Sequence, residues 1–316
     1  MRLSPAGLRA RAEEARAHYA RCDLCGHQCL VDRTHGPAGR CQEDDGLWLA
    51  GAGVHFGEEP PLVGPAGGAR RGSGLVLIGG CNLACRACET FDFSLERRGL
   101  VRTSESELAG LLLDLQKQGA ANVNFVTPTH VLPALLSGLA RAAAHGFALP
   151  VVWNCGGFES LPALRLLDGV VDVYLPDAKY GDDAAALTLS GCRGYVGTLV
   201  ECLREMVRQV GPLVVKDGLA ESGVIVRHLV LPDDAANPAS LMPALAAVSR
   251  DLWVNMLSQY RPVHEARLFP VLSRTVRPDE VQRAARLARD AGLRNVLVDG
   301  RDVPGDARDV PADGRH

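Results

Sequence analysis

Lysine is nearly absent from this chain: it supplies only Lys117, Lys179 and Lys216 among 34 basic residues, and the others are arginine. The formal net charge of −3 excludes a strongly basic nucleic-acid binder and a polybasic membrane anchor. No apolar run reaches the roughly 18 residues of a membrane helix, and the start of the chain lacks the apolar core of a secretion signal. We therefore expect a cytoplasmic protein, with neither a membrane nor nucleic acid as a partner.

The ten cysteines are unevenly distributed. The first group is Cys22, Cys25, Cys29 and Cys41, the second is Cys81, Cys85 and Cys88, and the scattered ones are Cys155, Cys192 and Cys202. Disulfides are rare in the cytosol, where clustered cysteines indicate metal or redox chemistry. The two groups are therefore the first candidates for functional sites.

The hydrophobic pattern divides the chain into three parts. Residues 1–72 combine an amphipathic helix with a Gly- and Pro-rich stretch that carries the first cysteine group, which predicts a small metal-binding lobe with too little core to stand alone. In residues 73–298, short apolar runs alternate with helix-period segments. Residues 299–316 are rich in Asp, Gly and Pro, and we predict a disordered tail there.

Six strand-then-helix units are predicted in the middle part. We expect strands at 75–78, 122–126, 151–154, 171–175, 223–229 and 252–255, with a further strand at 295–298. We expect helices at 104–119, 131–146, 159–168, 194–210, 238–250 and 278–292. This alternation predicts an α/β fold with a parallel sheet, either open or curled into a partial barrel, and with its chemistry at the C-terminal ends of the strands.

The second cysteine group follows the first of these strands with the spacing Cys-x3-Cys-x2-Cys. Thiolates are the usual ligands of iron–sulfur clusters, and these three can bind three irons of a [4Fe–4S] cluster. Nothing between Cys88 and Leu100 supplies a fourth His, Cys or Met ligand, whereas a structural zinc site needs four ligands. One iron would stay open to a small molecule. The alternative is a cluster that only transfers electrons.

This spacing, directly after the first strand of a repeated strand–helix domain, resembles the radical S-adenosylmethionine (SAM) superfamily. The similarity extends over residues 20–295 to the uncharacterised iron–sulfur proteins related to pyruvate formate-lyase activating enzyme. It is carried by the stretches CDLCGHQCLVDRTHGPAGRC, GEEPP, NVNFVTPTH, VVWNCGGFESL, LLDGVVDVYLPDAKY, EMVRQVG, VIVRHLVLPDD and VNMLSQYRP. The resemblance implies a partial (β/α)6 TIM-like barrel behind the Cys-rich lobe.

The resemblance also implies an activity. Cys81, Cys85 and Cys88 would hold the [4Fe–4S] cluster, whose open iron binds SAM. Reductive cleavage of SAM would give a 5′-deoxyadenosyl radical that abstracts a hydrogen atom. A reducing partner such as flavodoxin or ferredoxin is implied, together with a protein substrate, a glycyl-radical enzyme. Minimal activating enzymes lack the lobe, so another peptide, an RNA or a small molecule stays open as substrate. The alternative from another class is a non-catalytic iron–sulfur or zinc protein for electron transfer.

The chain differs from the family pattern at several positions. Ala87 stands where an aromatic residue usually covers the SAM adenine, and Glu89-Thr90 replaces a Gln-Asn pair. The superfamily often has a glutamate after the second strand that holds the SAM amino group, and this stretch contains no carboxylate. Thr127 and Thr129 are the expected replacements, with an ordinary helix cap as the alternative.

Polar residues at the ends of two later strands are further candidates. Two glycines follow soon after Asn154, and they would let a ligand approach the backbone. Asn154 is therefore either a SAM contact or a turn residue. Cys155 is either a small buried residue or a cavity thiol that donates or relays a hydrogen atom. Asp177 and Lys179 resemble an Asp-x-Lys pair beside SAM in related activating enzymes, where the cation pairs with the SAM carboxylate. A surface ion pair is the alternative.

The fifth predicted strand ends in Arg227 and His228. We expect this polar pair to contact SAM or the substrate. A histidine at the mouth of the site would transfer protons, and a structural histidine is the alternative for His228.

The first cysteine group provides a complete set of four ligands in the order Cys22-x2-Cys25-x3-Cys29-x11-Cys41. A closed tetrahedral set is typical of structural zinc. The same thiolates could hold an auxiliary, fully ligated iron–sulfur cluster that cannot bind SAM. Both metals stay open, and free thiols packed in the lobe are the alternative.

Overall fold

The computed structural model describes residues 3–65 and 71–302. Its helices are α1 (Pro5–Ala20), α2 (Pro60–Val63), α3 (Phe91–Ser94), α4 (Glu105–Lys117), α5 (Leu132–Ala144), α6 (Leu161–Leu166), α7 (Asp183–Ser190), α8 (Tyr195–Val210), α9 (Pro238–Val248) and α10 (Pro278–Asp290). Its strands are β1 (Leu47–His55), β2 (Ser73–Ile78), β3 (Val101–Thr103), β4 (Val123–Val126), β5 (Val151–Cys155), β6 (Val173–Pro176), β7 (Val214–Lys216), β8 (Leu219–Leu229), β9 (Trp253–Leu257), β10 (Asn295–Val298) and β11 (Arg301–Asp302). Short 3-10 helices lie at Thr129–Val131, Pro232–Asp234, His264–Leu268 and Pro270–Leu272.

The strands of the described residues form one open, eleven-stranded sheet. Its order is β11-β10-β9-β8-β6-β5-β4-β2-β1-β3, and β7 pairs with β8 beside this path. Neighbouring strands from β10 to β2 in this order are parallel, whereas β1, β3, β7 and β11 join in antiparallel fashion. The predicted α/β class with a mostly parallel sheet is confirmed.

Most predicted elements lie within a few residues of their expected bounds. Helix α4 begins with a capping box, in which Glu107 N donates to Ser104 Oγ and Ser104 N donates to the Glu107 carboxylate. Helix α10 begins at Pro278, which suits a first helical position. The fifth predicted strand is longer than expected, because β8 begins at Leu219.

The sequence pattern missed strand β1. Its Ala-Gly-Ala-Gly segment at 50–53 lacks the alternation of large apolar and polar side chains that indicates a strand. Because β1 pairs with β2, the first part of the chain contributes to the same sheet as the rest. The division at residue 72 stays a prediction.

The chain end after the sheet is only partly described. Residues 301–302, which belong to the predicted disordered tail, form β11 against β10. Residues 303–316 of that tail lie outside the described residues. Considering the helices of residues 3–65 and 71–302, we find none that combines the length and the apolar character needed to cross a membrane.

The two faces of the sheet are covered by different parts of the chain. Side chains alternate along a strand, so successive residues of β5 face opposite sides. Val152 packs with Leu62 of the plug segment, which we define as residues 58–63. Trp153 belongs to the larger core that includes helix residues such as Leu112 of α4 and Leu203 of α8. The plug segment therefore takes the place of a helix layer on its face of the sheet.

The segment with the first cysteine group packs against the loop after β5. Gly26 N donates to Phe158 O at 2.9 Å, and Ser160 N donates to Leu24 O at 3.2 Å. A Cβ at Gly26 would lie 2.7 Å from the Phe158 ring, so this contact needs glycine. The packing brings the cysteine-rich segment close to the C-terminal ends of the parallel strands.

We expect Leu62→Ala to lower the free energy of unfolding by about 2 to 4 kcal/mol, because it leaves a cavity between the plug segment and the sheet. Leu62 is 1% exposed. The matched control is Leu268→Ala, since Leu268 is 73% exposed, and its effect should stay within about 0.5 kcal/mol. Urea unfolding measures both values. Equal effects of the two substitutions would show that the plug segment is not part of the core.

Candidate functional site

A cavity of about 230 Å³ opens at the C-terminal ends of the parallel strands. The loop after β2 and the ends of β4, β5, β6 and β8 contribute Cys81, Cys85, Cys88, Thr127, Asn154, Cys155, Asp177, Lys179 and Arg227 to its lining. Each of these residues is a candidate from the sequence. Parallel strands bring them together, because their C-terminal ends meet at one edge of the sheet.

The three-cysteine loop (residues 79–90) leaves β2 through a turn that only glycine suits. Gly80 has φ +83°, and a Cβ there would lie 2.5 Å from a carboxylate oxygen of Glu43. Glu43 is 1% exposed and forms an ion pair with Arg97, which follows α3. The first part of the chain thus supports the start of the loop.

The three thiols of this loop are free and half-buried. Ser190 Oγ, at the end of α7, donates to Cys85 Sγ at 3.1 Å, and Ser94 Oγ lies 3.4 Å from Cys88 Sγ. Burial, and then the proximity of Cys85 and Cys88, raises the pKa of the Cys81 thiol to about 12. In the absence of a metal Cys81 is therefore protonated at neutral pH, and a bound metal would have to displace its proton.

A charged network lines the same cavity as these thiols. Arg227 Nε donates to Asp177 Oδ1 at 2.7 Å, and Lys179 Nζ donates to Asp177 Oδ2 at 2.9 Å. Arg227 Nη2 also donates to Asn154 Oδ1 at 2.6 Å. Burial alone would raise the pKa of Asp177, but the charges of Arg227 and Lys179 lower it to about 2. The pKa of Lys179 is raised by Asp177 despite its burial. Both groups are therefore charged at neutral pH.

Two carboxylates of the plug segment lie beneath this network. Glu58 Oε2 lies 3.8 Å from Arg227 Nη1 and accepts a hydrogen bond from Asn124 Nδ2 at 3.3 Å. Glu59 is 5% exposed, and its Oε1 accepts from Asn255 Nδ2 at 3.2 Å. Neither glutamate was predicted from the sequence to have a role. The signal that could have found them is the pair of adjacent carboxylates in the Gly-Glu-Glu-Pro-Pro stretch.

Two candidate residues do not line the cavity. His228 is fully buried and donates from Nδ1 to Ala178 O at 2.7 Å, so its expected position at the mouth is wrong. The reason is strand alternation: Arg227 faces the cavity, and the next residue of β8 faces the other way. Thr129 is 1% exposed and donates to Glu159 Oε1 at 2.9 Å, which directs its hydroxyl away from the cavity.

Thr127 and Cys155 line the cavity but are held by protein groups. Thr127 adopts φ +56° and donates to Val126 O at 2.8 Å. Cys155 is 3% exposed. Burial, and then the neighbouring Glu159, raises the pKa of its thiol well above the usual range. It is a neutral thiol at neutral pH.

Two contacts join the three-cysteine loop to the segment after β9. Arg86 forms an ion pair with Glu265, and Gln259 Nε2 donates to Glu89 Oε2 at 3.4 Å. Ala87, Glu89 and Thr90, the positions that differ from the family pattern, all line the cavity. Four leucines also line the cavity, namely Leu229, Leu231, Leu257 and Leu272. The cavity thus combines polar and apolar lining residues.

The first cysteine group lines a second, much smaller cavity, which contains Cys22, Cys25, Cys29, Cys41, Arg33 and His130. Burial and the neighbouring thiols raise the pKa of Cys25 above the usual range of a thiol. Within the described residues, no set of three or more His, Cys, Asp or Glu side chains is arranged to hold a metal ion as it stands. In both groups the thiols would therefore have to rotate to bind a metal.

The class of protein that these features define is an α/β protein with cysteines at the C-terminal ends of a parallel sheet. No protein-family model matches the chain. A protein of Methanocaldococcus jannaschii that is described as uncharacterised is 28% identical over 300 residues. The aligned part covers 92% of this chain and 81% of that protein. The similarity extends over nearly the whole chain and carries no statement of function.

We expect Asp177→Asn to lower the free energy of unfolding at pH 7 by about 2 to 3 kcal/mol, because it leaves two cations without their shared anion. The folded pKa of about 2 lies below the ordinary value, which is about 3.9. The carboxylate therefore stabilises the fold above about pH 4, and this contribution is lost as the pH falls toward 2. Urea unfolding between pH 2 and 7 should show the difference between the two proteins closing toward low pH.

The matched control is Asp251→Asn, which removes a surface pair with Arg294 whose side chains are 55% and 66% exposed. Its effect should stay below about 1 kcal/mol. A difference between Asp177→Asn and the native protein that stays constant down to pH 2 would contradict the expected charge network.

Proposed function

We propose that the chain is a radical SAM enzyme of the activating-enzyme type. The observation that carries this proposal is the common cavity of Cys81, Cys85, Cys88, Asn154, Asp177, Lys179 and Arg227. Three thiols from one loop and a set of polar and cationic groups from three strands line it together. This is the distribution that a thiolate-ligated cluster and a zwitterionic amino-acid ligand would need.

The donor set of the three-cysteine loop fits a [4Fe–4S] cluster. Soft thiolates suit iron, and all three thiols are free to ligate. Cys155 is set apart from this group, since it comes from β5 and interacts with Glu159. When bound and reduced, the cluster would supply the electron for cleavage of SAM and hydrogen-atom abstraction from the substrate.

The charged wall would orient SAM. Lys179 is the residue that we assign to the SAM carboxylate, because its ammonium is charged and a quarter of the side chain is exposed. Asp177 holds Lys179 on one oxygen and Arg227 on the other. Asn154 is fixed by Arg227 with its amide nitrogen left for a ligand. Arg227 thus positions the residues that would touch SAM.

We also propose that the open sheet curls into a partial (β/α)6 barrel. The plug segment supports this: Glu58 contacts Asn124 on β4, and the adjacent Glu59 contacts Asn255 on β9. In a flat sheet these strands would be four spacings apart, roughly 19 Å. Two adjacent residues reach both strands most readily when the sheet curves around them.

The four cysteines of the lobe are proposed to hold a second metal, either zinc or an auxiliary iron–sulfur cluster. Their convergence on one small cavity supports this, and all four are free thiols. Elemental analysis of anaerobically purified protein would give zinc or additional iron beyond one cluster. If neither metal accompanies the chain, the lobe site is refuted.

The partners follow from the chemistry. A one-electron reductant of the flavodoxin or ferredoxin class would be required, and a cytoplasmic location would keep all ten cysteines as the free thiols observed here. The substrate would be a protein glycine. Another peptide, an RNA or a small molecule would be the alternative substrate.

We expect reconstituted, reduced protein to convert SAM to 5′-deoxyadenosine and methionine, and Cys85→Ala to abolish both the cluster and this conversion. The matched control is Cys202→Ala, because Cys202 is buried in α8 and does not line the cavity. Chromatography of the products and iron content measure the outcome. If the native protein forms its cluster but produces no 5′-deoxyadenosine, the proposed enzyme activity is refuted. The alternative of an electron-transfer protein then remains.

We expect Lys179→Met to weaken SAM binding about tenfold to hundredfold, the loss of one charge-assisted hydrogen bond. The control is Lys117→Met, since Lys117 lies on α4 with 77% of its side chain exposed. Equilibrium dialysis with the reconstituted proteins gives both affinities. Unchanged binding in Lys179→Met would remove Lys179 from the SAM site.

A further inference from the structure

Arg33 is a buried arginine beside the four-cysteine group. Its side chain is 0% exposed. Its three nitrogens donate to the backbone carbonyls of Glu43 (2.9 Å), His130 (2.7 Å) and Asp44 (2.6 Å). The guanidinium also lies 4.8 Å from the centre of the Tyr19 ring. These partners satisfy its hydrogen bonds but carry no formal charge.

The charge of Arg33 is not balanced by a carboxylate of its own. In the described part of the chain no Asp or Glu forms an ion pair with it; the nearby carboxylate of Glu43 interacts with its charge but is ion-paired with Arg97. A buried cation without an anion is strongly unfavourable. The groups beside it that can become anions are the thiols: Nη1 lies 3.7 Å from Cys22 Sγ, and Cys41 interacts with its charge.

The four-cysteine cavity provides the missing charge when it binds a metal. Arg33 lines the same cavity as the four thiols. Four thiolates around a divalent ion leave two negative charges in excess. A guanidinium fixed by three carbonyls at the edge of that cavity would offset one of them and donate to a ligand sulfur.

We propose that Arg33 is the built-in counter-charge of a tetrathiolate metal site and the positioning residue of its ligand Cys22. This inference rests on the proposed metal site of the lobe. In the metal-free lobe the positive charge of Arg33 is uncompensated. In the metal-bound lobe the thiolates compensate it. Removing its charge should therefore weaken metal binding without weakening the metal-free fold to the same extent.

The test uses Co²⁺ as the probe, because its thiolate complexes absorb strongly. The variants are Arg33→Met, Arg33→Lys and, as matched control, Arg21→Met, whose side chain is exposed in the same lobe. All are made in full-length protein with Cys85→Ser, which removes a thiol from the three-cysteine loop and none from the lobe. Anaerobic titration against a competing chelator gives the affinities, and thermal unfolding with and without Co²⁺ gives the stabilisation by metal.

We expect Arg33→Met to weaken Co²⁺ binding about tenfold to hundredfold and to shrink the metal-induced rise in unfolding temperature. Arg33→Lys should recover most of the affinity, and Arg21→Met should match the background protein. A merely structural role would lower the unfolding temperature of the metal-free protein and leave the affinity unchanged, which would overturn the inference. If the background protein itself binds no Co²⁺, the proposed metal site fails and the inference with it.

Discussion

The ion pair between Arg227 and Asp177 is the interaction on which the arrangement of the cavity depends. Arg227 comes from β8 and Asp177 from the loop after β6, and the same guanidinium reaches Asn154 on β5 and Glu58 in the plug segment. A charge in this half-buried place needs partners on every side. The pairing fixes three strand ends and the plug segment relative to each other, and through Asp177 it determines where the ammonium of Lys179 lies.

Much of the fold was predictable from the sequence because its parallel strands are short apolar runs followed by helix-period segments. The class, the central strands and the helices with capping signals, such as α4, followed from these local patterns. Strand β1 did not, because its small residues gain a strand conformation only by pairing with β2. The plug segment was missed for the same reason: its Pro-rich sequence indicates a loop, and only its contacts with the sheet give Leu62 a core position.

The sequence predicted which residues belong to the candidate site better than it predicted how they are arranged. Residues at strand ends were expected to converge, and the parallel sheet brings them together at one cavity. A pair of adjacent polar residues does not show which of the two faces the cavity, so the prediction placed His228 on the wrong face of strand β8. The role of Arg33 was not predictable from the sequence, because the sequence shows only an arginine in a polar loop. The fold places three backbone carbonyls and a thiol around its side chain.

The two cysteine groups also differ in the electrostatics around them, and the difference argues for different roles. Lys179 and Arg227, which line the cavity of the three-cysteine loop, share Asp177 as an anion, and Arg227 also lies near Glu58, so the two cations of this site already have two carboxylates. Arg33 lines the four-cysteine cavity and has no ion-paired carboxylate within the described residues, which supports the metal proposed for that cavity. The groups are physically connected, because His130, which lines the four-cysteine cavity, donates from Nε2 to Gly79 O at the start of the three-cysteine loop. An ion held in the lobe would therefore support the loop that would hold the proposed [4Fe–4S] cluster.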